Sequence, residues 1–570
     1  KPLPSRKMEQ EVPLIDCYVA PCKEGCPIHQ DITTYLQLVG EEKYEEAMEV
    51  ITEKNPLPFI TGTICAHNCM SKCTRNFYET PVHIREMKLK AAENGYEALL
   101  EKLPVPAVTK AGKAAVIGGG PAGMAAAYFL RKGGMEVTLF EAKESLGGVV
   151  RHVIPPFRIS EDAIEKDAEI LRKMQVDIRC NTKVESLEEL KKQGYTKIVL
   201  AVGAPVQGSL KLESGMPKNA LEFLAEFKQT DGKVSLGKHV VVIGGGNTAM
   251  DTARAAKRNA GVEHVYLIYR RTRRYMPADE EELVMALEDG VEFKELLSPV
   301  KLENGQLFCK VMQLSDYDVS GRRGVTETGE TVWVPADTVI AAVGEKVPTD
   351  WYQANGLAVS EKGRLYVDEK TLKTSDDNVY AAGDGLYGPA TVVEAIRDGR
   401  KVAEAIAGEV LARDFDKLAE EEKVYAKRGV LKEEQKETKE AGRCLGCSTI
   451  CENCVEVCPN RANIAIQVPG MEKHQIIHVD YLCNECGNCK SFCPYSSAPY
   501  LDKFTLFETE ADMENSKNQG FAVLDQETRR CKVRFFGKTF IWEPEKPAAL
   551  PDGLGRMIET VCRDYSYLIR

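Results

Sequence analysis

The chain has 570 residues, a length that predicts several domains rather than a single hydrophobic core. Its formal net charge of −11 argues against a nucleic-acid partner, because phosphate contacts need an excess of Lys and Arg. No apolar run approaches the roughly 18–20 residues of a membrane span, and the first residues lack a signal-peptide core, so we expect a cytoplasmic protein with no membrane span.

The cysteines fall into two tight groups. Six of the 19 lie between Cys17 and Cys73 and nine lie between Cys444 and Cys493, whereas the stretch between the groups holds two. A disulfide framework suits small secreted domains. Thiolates at short spacing can instead converge on one metal centre, and we therefore expect metal sites in both groups.

The first group belongs to a segment, 1–107, that we expect to be a helical domain. Its cysteines are spaced Cys17-x4-Cys22-x3-Cys26 and Cys65-x3-Cys69-x3-Cys73, with helical sequence such as 41–54 between them. The Pro-rich stretch 103–106 then breaks the chain. The predicted metal ligands of this segment are Cys17, Cys22, Cys26, Cys65, Cys69 and Cys73.

A dinucleotide fingerprint follows the Pro-rich stretch. The strand 113–117 leads into a GxGxxG turn and a helix, and the next strand ends in an acid placed to accept hydrogen bonds from a ribose diol. Glycines allow the tight turn and the close approach of a diphosphate, which then lies at the positive end of a helix. The predicted FAD contacts here are Gly118, Gly120, Ala122, Gly123, Glu141 and Gly148.

A second fingerprint begins with the strand 239–243. Here the strand after the glycine-rich turn ends in Arg270 and Arg271 instead of an acid. Arginines offer a 2′-phosphate charge-assisted bonds, which favours NADPH over NADH, although a solvated surface turn is the alternative. The predicted NADPH contacts are Gly244, Gly246, Asn247, Thr248, Arg270 and Arg271.

The chain then returns to the first nucleotide domain. A short strand delivers Gly383 and Asp384 to a turn, where a carboxylate can bond ribityl or ribose hydroxyls, and a helix starts near Thr391 and Val392. These motifs resemble the two-dinucleotide-binding flavoprotein superfamily, whose NAD(P) domain is inserted in an FAD domain. That layout implies an α/β fold with FAD-domain parts at 108–235 and 346–412 around an NAD(P)H domain at 236–345. By analogy, the amides of 391–393 lie near the flavin ring.

A charged linker, 413–441, expected to be a helix, precedes the second cysteine group. The run Cys483-x2-Cys486-x2-Cys489-x3-Cys493-Pro is typical of bacterial ferredoxins, in which the fourth cysteine serves a second [4Fe–4S] cluster. This spacing favours a 2[4Fe–4S] ferredoxin-like domain at 442–505 over structural zinc. A tail, 506–570, is predicted to contain a small hairpin. The predicted ligands are Cys447, Cys451, Cys454, Cys458, Cys483, Cys486, Cys489 and Cys493, with Cys444 an alternative to Cys447.

The first cysteine group together with the nucleotide domains resembles the glutamate synthase small subunit, the electron-input half of dihydropyrimidine dehydrogenase and bifurcating transhydrogenase subunits. The whole chain most resembles the YgfK-type iron–sulfur flavoprotein subunits assigned to selenate reduction. This resemblance implies two N-terminal [4Fe–4S] clusters, one on Cys17, Cys22 and Cys73 and one on Cys26, Cys65 and Cys69. The chain departs from the pattern at Leu14, where the family has a cysteine, and at Lys88, where it has a Glu or Gln ligand. Glu86 is a possible substitute ligand.

These motifs predict an oxidoreductase that uses FAD, NADPH or NADH, and [4Fe–4S] clusters. We expect an electron-input subunit that passes electrons to a catalytic partner subunit, with molybdenum hydroxylases as the class associated with the resemblance and a ferredoxin as a further candidate partner. No catalytic side chain is required, because hydride passes directly between nicotinamide and flavin. The alternatives are a self-contained reductase, a flavin-based bifurcating enzyme and a non-catalytic redox sensor.

Overall fold

The structure is a computed structural model that describes residues 7–317, 323–415, 417–433, 437–546 and 550–570; the parts of the expected segments that fall between these ranges lie outside the described residues. Two compact units divide the chain. We call the first, which includes Ile51–Ala66 and Lys88–Arg413, the nucleotide unit. The second is the cysteine unit, composed of Ser5–Val50, His67–Met87 and Asp414–Arg570. The expected helical domain 1–107 is therefore divided between them.

The nucleotide unit contains two five-stranded parallel sheets. The first has the strand order Val379–Ala381, Tyr195–Leu200, Lys113–Ile117, Glu136–Phe140 and Asp177–Arg179. Apolar side chains fill almost every position of the central strands, as expected where helices cover both faces. Its edge strand, Val379–Ala381, follows the whole second sheet in sequence, so the second domain is inserted in the first.

The second sheet has the order Lys218–Asn219, Thr338–Ala341, His239–Ile243, His264–Tyr269 and Glu292–Glu295. Its core includes Phe223, Leu224 and Phe227 from the helix Ala220–Gln229. The boundary predicted at residue 236 is therefore wrong, because a strand and a core helix of the inserted domain lie before it. Motif reading located the glycine-rich strand but missed the apolar face of the helix ahead of it.

Two smaller sheets complete this unit. Leu297–Glu303, Gln306–Tyr317 and Arg323–Pro335 form a three-stranded antiparallel sheet. Val206–Gln207 pairs with Glu345–Lys346, so the chain segments that enter and leave the inserted domain run side by side. The helices are Pro58–Ile64, Ile84–Lys102 (from Lys88 on), Pro121–Lys132, Val149–His152, Glu161–Lys173, Leu187–Lys192, Ala220–Gln229, Asn247–Arg258, Glu280–Glu288, Thr349–Ala354, Asp384–Tyr387 and Val392–Ala407, with a 3₁₀ turn at Arg273–Tyr275.

The cysteine unit is built on one six-stranded mixed sheet, formed in chain order by Asn463–Ile466, Gln475–Val479, Phe504–Phe507, Gly520–Asp525, Arg530–Phe535 and Lys538–Trp542. The last two strands form an antiparallel hairpin, in the place where the alternating sequence predicts one. A single core joins strands from both sides of residue 505 to the amphipathic helix Asp552–Asp564. The division between 505 and 506 is therefore wrong, because the tail completes the sheet that begins beside the cysteines.

The helices of the cysteine unit are short: Pro21–Glu24, Ile32–Gly40, Tyr44–Lys54 (to Val50), Asn68–Ser71, Glu421–Tyr425, Asn453–Glu456, Asn488–Phe492, Pro499–Asp502, Glu510–Asn515 and Asp552–Asp564, with 3₁₀ turns at Thr74–Phe77, Glu437–Arg443, Asp480–Leu482 and Ser566–Leu568. In the described part of the expected linker, the helix is present only as Glu421–Tyr425 and the turn Glu437–Arg443. Arg443 and Glu440 are buried there, so this segment is packed rather than solvated. Among the described residues, no helix is both long and apolar enough to cross a membrane.

Candidate functional site

The first glycine-rich turn connects the strand Lys113–Ile117 to the helix Pro121–Lys132. Gly118 has a φ of +106°, and a Cβ added there would lie 2.3 Å from the Ala201 carbonyl oxygen. A Cβ at Gly123 would lie 1.8 Å from the Gly118 oxygen. These two glycines are required for the fold itself. At Gly120, by contrast, an added Cβ would meet only Gly148, at 3.8 Å, which leaves room for a diphosphate at the helix N-terminus.

Glu141 lies at the end of the strand Glu136–Phe140, with its side chain buried against this turn. One carboxylate oxygen accepts the Gly119 N–H at 2.7 Å and the other accepts the Lys143 N–H at 2.7 Å. Each oxygen keeps a further lone pair. The carboxylate is thus fixed next to the glycine turn and can still accept hydrogen bonds from a ribose diol.

Gly383 and Asp384 follow the edge strand Val379–Ala381. Gly383 has a φ of +70° and lies against Ala122, where an added Cβ would be 2.6 Å away, so this turn joins the first one. Burial, together with the nearby Glu345 and Glu394 carboxylates, raises the pKa of Asp384 to about 6, although the Ala390 N–H, which donates to it at 3.0 Å, has the opposite effect. A partly buried carboxylate with spare acceptor capacity suits ligand hydroxyl groups.

The helix Val392–Ala407 begins with a capping box. Glu394 donates its N–H to the Thr391 hydroxyl at 3.3 Å, and its carboxylate accepts the Thr391 N–H at 3.0 Å. The Thr391 amide, one of those expected to face the flavin ring, is therefore occupied within the chain. The amides of Val392 and Val393 remain in the first turn of this helix, where a ligand acceptor could bind them.

The second glycine-rich turn repeats the geometry of the first. Gly244 lies against Ala342, and an added Cβ there would be 2.6 Å from its carbonyl oxygen, whereas nothing lies within 4 Å of a Cβ added at Gly246. The helix Asn247–Arg258 starts directly after it. The Asn247 amide is held by Asp279, whose N–H it accepts at 2.9 Å, and Thr248 lies in the first turn. This turn therefore also presents an open helix N-terminus.

The arginines after the strand His264–Tyr269 differ in their surroundings. Arg271 donates to the Arg323 carbonyl at 2.8 Å, and Arg273 donates to Glu280 at 2.8 Å. Arg270 is exposed, and no hydrogen bond or ion pair joins its guanidinium to the part of the chain that the structure describes. Of the two arginines predicted to bind the phosphate, Arg270 therefore has all of its N–H donors available for a ligand, whereas Arg271 already uses one of its donors.

In the cysteine unit, Cys458, Cys483, Cys486 and Cys489 line one cavity together with Tyr500 and Asn463. None of the 19 cysteines, all of which the structure describes, forms a disulfide. Four thiols around one cavity fit the donor set of an iron–sulfur cluster. No three Cys, His, Asp or Glu side chains of the described residues converge closely enough for a single metal ion; the sulfurs of a zinc site would lie ~3.8 Å apart.

A second set of thiols surrounds Tyr18. Cys17 and Cys451 pack against a cluster of buried residues that includes Tyr18, Cys454 and Ile476, together with Cys489. Burial, with a smaller effect of the charges of Cys17 and Cys493, raises the pKa of Cys451 to about 12. The structure therefore brings Cys17 to the ferredoxin-like run, although sequence analysis grouped it with Cys22 and Cys73.

A third set combines both cysteine groups. Burial raises the pKa of Cys22 well above its ordinary value. The charges of nearby thiolates also raise this pKa, in the decreasing order Cys73, Cys444, Cys447 and Cys69. The Thr74 hydroxyl lies 3.2 Å from the Cys447 sulfur. These thiols would release their protons on binding iron.

A network of buried arginines, which sequence analysis missed, holds this third set together. Arg443 is fully buried and donates to Glu440 at 2.6 Å and to the Thr80 carbonyl at 2.7 Å. The fully buried Arg75 donates to the Arg443 carbonyl and pairs with Glu79. The segment that contains Cys73 is thus tied to the residue before Cys444. An Arg in a charged linker gives no sequence signal of burial.

The remaining predicted ligands are divided between the units. Cys65 follows the helix Pro58–Ile64 of the nucleotide unit, whereas Cys26 and Cys69 belong to the cysteine unit. Lys88 is buried in the nucleotide unit, where its charge acts on Asp167. Glu86 is exposed and lies 3.3 Å from His83. A cluster on Cys26, Cys65 and Cys69 stays a prediction.

Two known protein families match parts of this chain. Residues 112–399, half of the chain, match the family described as pyridine nucleotide-disulphide oxidoreductase. Residues 6–98 match dihydropyrimidine dehydrogenase domain II, 4Fe-4S cluster. The chain belongs to the pyridine nucleotide-disulphide oxidoreductase family. It is a flavin- and iron–sulfur-dependent oxidoreductase, as its sequence motifs predict, and the predicted fold class is confirmed.

Within this family, the chain is 40% identical over 555 residues to the oxidoreductase YgfK of Escherichia coli, covering 94% of this chain and 53% of that protein. It is 33% identical to the small chain of NADPH glutamate synthase and 31% identical to the NAD-dependent dihydropyrimidine dehydrogenase subunit PreT, both of E. coli, over 68% of this chain and 87% and 91% of theirs. The chain thus spans about half the length of the YgfK proteins. The predicted resemblances to YgfK-type subunits, to the glutamate synthase small subunit and to dihydropyrimidine dehydrogenase are confirmed.

Proposed function

We propose that this chain is the electron-input subunit of a larger oxidoreductase: it binds FAD at the first glycine-rich turn and oxidises NADPH bound at the second. The observation that carries this proposal is the presence, in one chain, of two open nucleotide turns and of grouped thiols without disulfides. A flavin converts between the two electrons of a hydride and the single electrons that iron–sulfur clusters carry, with release of the hydride's proton to solvent.

The side chains of the nucleotide unit act by binding and orientation. Glu141 and Asp384 present acceptors to ligand hydroxyls on either side of the first turn. The helix that begins after Gly120 directs its positive end toward a diphosphate, and the helix that begins after Gly246 does the same in the second domain. Arg270 offers the 2′-phosphate of NADPH a charge-assisted contact, which NADH cannot make.

Relatives of this chain support the division of labour. The glutamate synthase small chain and PreT carry the names of subunits, as do the β subunits of an NADPH-Fe(3+) oxidoreductase of Geobacter sulfurreducens and an NADP(+)-dependent formate dehydrogenase of Moorella thermoacetica. We propose that this chain likewise passes electrons through [4Fe–4S] clusters to a separate catalytic subunit. The molybdenum-containing hydroxylases, or a ferredoxin, are the candidate acceptors.

The proposal is tested with the purified chain under anaerobic conditions. NADPH should reduce a viologen dye through the chain, while no physiological small molecule is turned over. Affinity purification from the native organism should recover a catalytic subunit, and its metal content shows whether that subunit contains molybdenum. Specific turnover of a small substrate by the isolated chain would contradict the subunit assignment and favour a self-contained reductase.

A further inference from the structure

In the ferredoxin-like run that starts at Cys447, three residues separate the first two cysteines, one more than in the run that starts at Cys483. With the spacing of the run at Cys483–Cys493, the first ligand before Cys451 would be residue 448, which is Ser448. The Ser448 hydroxyl is 2.6 Å from the Thr33 hydroxyl and is committed to that contact. The ligand set of Cys451, Cys454 and Cys493 therefore lacks the thiol that the ordinary spacing would supply.

Cys17 lies where that missing thiol is needed. It packs with Cys451 and Cys454 around Tyr18, and its charge raises the pKa of both, as well as that of Cys493, beyond the larger effect of burial.

The residues on both sides of Cys17 are fixed to the sheet that carries the run. The Asp16 N–H donates to the buried Gln475 at 2.8 Å. The Tyr18 hydroxyl donates to Glu452 at 2.9 Å, a buried carboxylate that also accepts from Tyr425 at 2.9 Å. Because both neighbours are held, the thiol between them has little freedom to reach any other site.

Further contacts extend this attachment toward the N-terminus. The Met8 N–H donates to the Pro494 carbonyl at 2.9 Å, next to the ligand Cys493. The Ser496 N–H donates to Gln10 at 3.1 Å, and the Lys503 ammonium donates to the Pro13 carbonyl at 2.8 Å. The stretch before Cys17 is thus part of the same packed unit as Cys493.

With Cys17 in this position, Cys444 and Cys447 are left for the third set. The Thr74 hydroxyl, next to Cys73, contacts the Cys447 sulfur, and Arg75 donates to the carbonyl of Arg443, next to Cys444. The buried Cys22 lies in the helix Pro21–Glu24, and Gly25 at the end of that helix lies against Lys72, next to Cys73. Two cysteines from each sequence group then form a complete set of four. The family position that would otherwise complete it is Leu14, which has no thiol to offer.

We propose that the clusters of this chain are shared between its two cysteine groups: Cys17 completes the set of Cys451, Cys454 and Cys493, and Cys22, Cys73, Cys444 and Cys447 hold a cluster of their own. This assignment refines the proposed function, on which it rests only for the presence of [4Fe–4S] clusters. The segment Cys447–Cys451 joins the set of Cys22 to the set of Cys17, and the segment Cys454–Cys458 joins the set of Cys17 to the set that lines the cavity with Cys483. Four residues span at most about 14 Å between Cα atoms, so the three sets form one short electron path.

The test is the iron and acid-labile sulfide content of the anaerobically purified full chain, together with its reduced-state EPR spectrum. Cys17→Ala should lose the iron or the signal of one cluster and keep its flavin. Adding Ser448→Cys to that variant should restore both, because the ordinary ferredoxin spacing then supplies the thiol. Cys531→Ala, a buried cysteine in the core of the same unit, is the matched control and should keep all clusters.

The third set is tested by Cys22→Ala and Cys444→Ala. Each should remove the same cluster, so that the double variant loses no more iron than either single one. Suppose that Cys17→Ala keeps the iron content and the EPR spectrum of the wild type, whereas Cys447→Ala loses the cluster of Cys451, Cys454 and Cys493. That result would overturn the assignment and leave the proposed function intact. A wild-type chain with flavin but without iron or sulfide would overturn both.

Discussion

The nucleotide unit and the cysteine unit build their sites in different ways. Each glycine-rich turn is one strand, one turn and one helix that are contiguous in sequence, as at Gly118–Gly123, although Gly383 and Asp384 join the first turn from a distant segment. In the cysteine unit, the segment that contains Cys73 contacts Cys447, more than 370 residues away, through Thr74. Contiguous sites depend on local backbone geometry, whereas assembled sites depend on the packing that brings distant segments together.

The largest expected effect is the difference between alanine substitutions at two glycines of the first turn. Gly123→Ala places a Cβ 1.8 Å from the Gly118 oxygen, so we expect complete loss of flavin and destabilisation of the nucleotide unit by about 3 kcal/mol or more. Gly120→Ala meets no atom closer than 3.8 Å and should fold normally while losing flavin, because the added methyl group occupies the diphosphate space. Thermal unfolding and the flavin absorbance of the purified variants measure this. Normal flavin in Gly120→Ala would contradict the diphosphate site.

The assembled site is tested by Arg443→Met. This change leaves Glu440 buried without the cation 2.6 Å away, and removing one partner of a buried pair costs about 3–5 kcal/mol. We expect early thermal loss of iron from the cysteine unit while flavin stays bound. Lys423→Ala, at an exposed pair with Glu420 in the same linker, should change nothing measurable. Equal stability of the two variants would show that the buried network does not hold the site.

A smaller effect is expected for coenzyme choice. Arg270→Ala removes one charge-assisted contact to the 2′-phosphate, worth about 2 kcal/mol, and should lower kcat/KM for NADPH about 30-fold with little change for NADH. Arg273→Ala is the matched control, because Arg273 already pairs with Glu280. Steady-state rates with a viologen acceptor measure both variants. A similar loss with the two coenzymes would refute phosphate recognition by Arg270.

The smallest effect concerns the pH dependence of stability. The pKa of Asp384 is raised to about 6, so between about pH 4 and pH 6 the folded chain binds a proton that the unfolded chain has lost. Asp384 therefore costs stability as the pH rises from about 4 to about 6. In the flavin-free chain, Asp384→Asn should gain in melting temperature relative to wild type over this range, and the gain should level off above about pH 6.

Asp376→Asn supplies the control of opposite sign. Although burial opposes it, the Lys191 ammonium 2.8 Å away and the Asn378 N–H hold the pKa of Asp376 below its usual value, so its charge stabilises the fold at neutral pH. This variant should lose stability at pH 7. A constant difference between Asp384→Asn and wild type across the pH range would contradict the titration of Asp384.

The sequence predicted the contiguous parts of this molecule well. Both glycine-rich turns, the strands beside them and the insertion of one domain in the other follow from short motifs with strict steric requirements, as at Gly118 and Gly244. The extent of the inserted domain was missed because its first helix carries no motif. The proposed place of Cys17 could not be predicted, because ligand spacing within one run says nothing about a thiol that packing brings from another segment.

The central claim, that a nucleotide site supplies electrons to iron–sulfur clusters in the same chain, is tested most directly by an anaerobic titration with NADPH. We predict that the chain consumes more than one NADPH per bound flavin, and that iron–sulfur absorbance between 400 and 500 nm decreases after the flavin bands. Reduction that stops at one NADPH per flavin and leaves the iron–sulfur absorbance unchanged would contradict it.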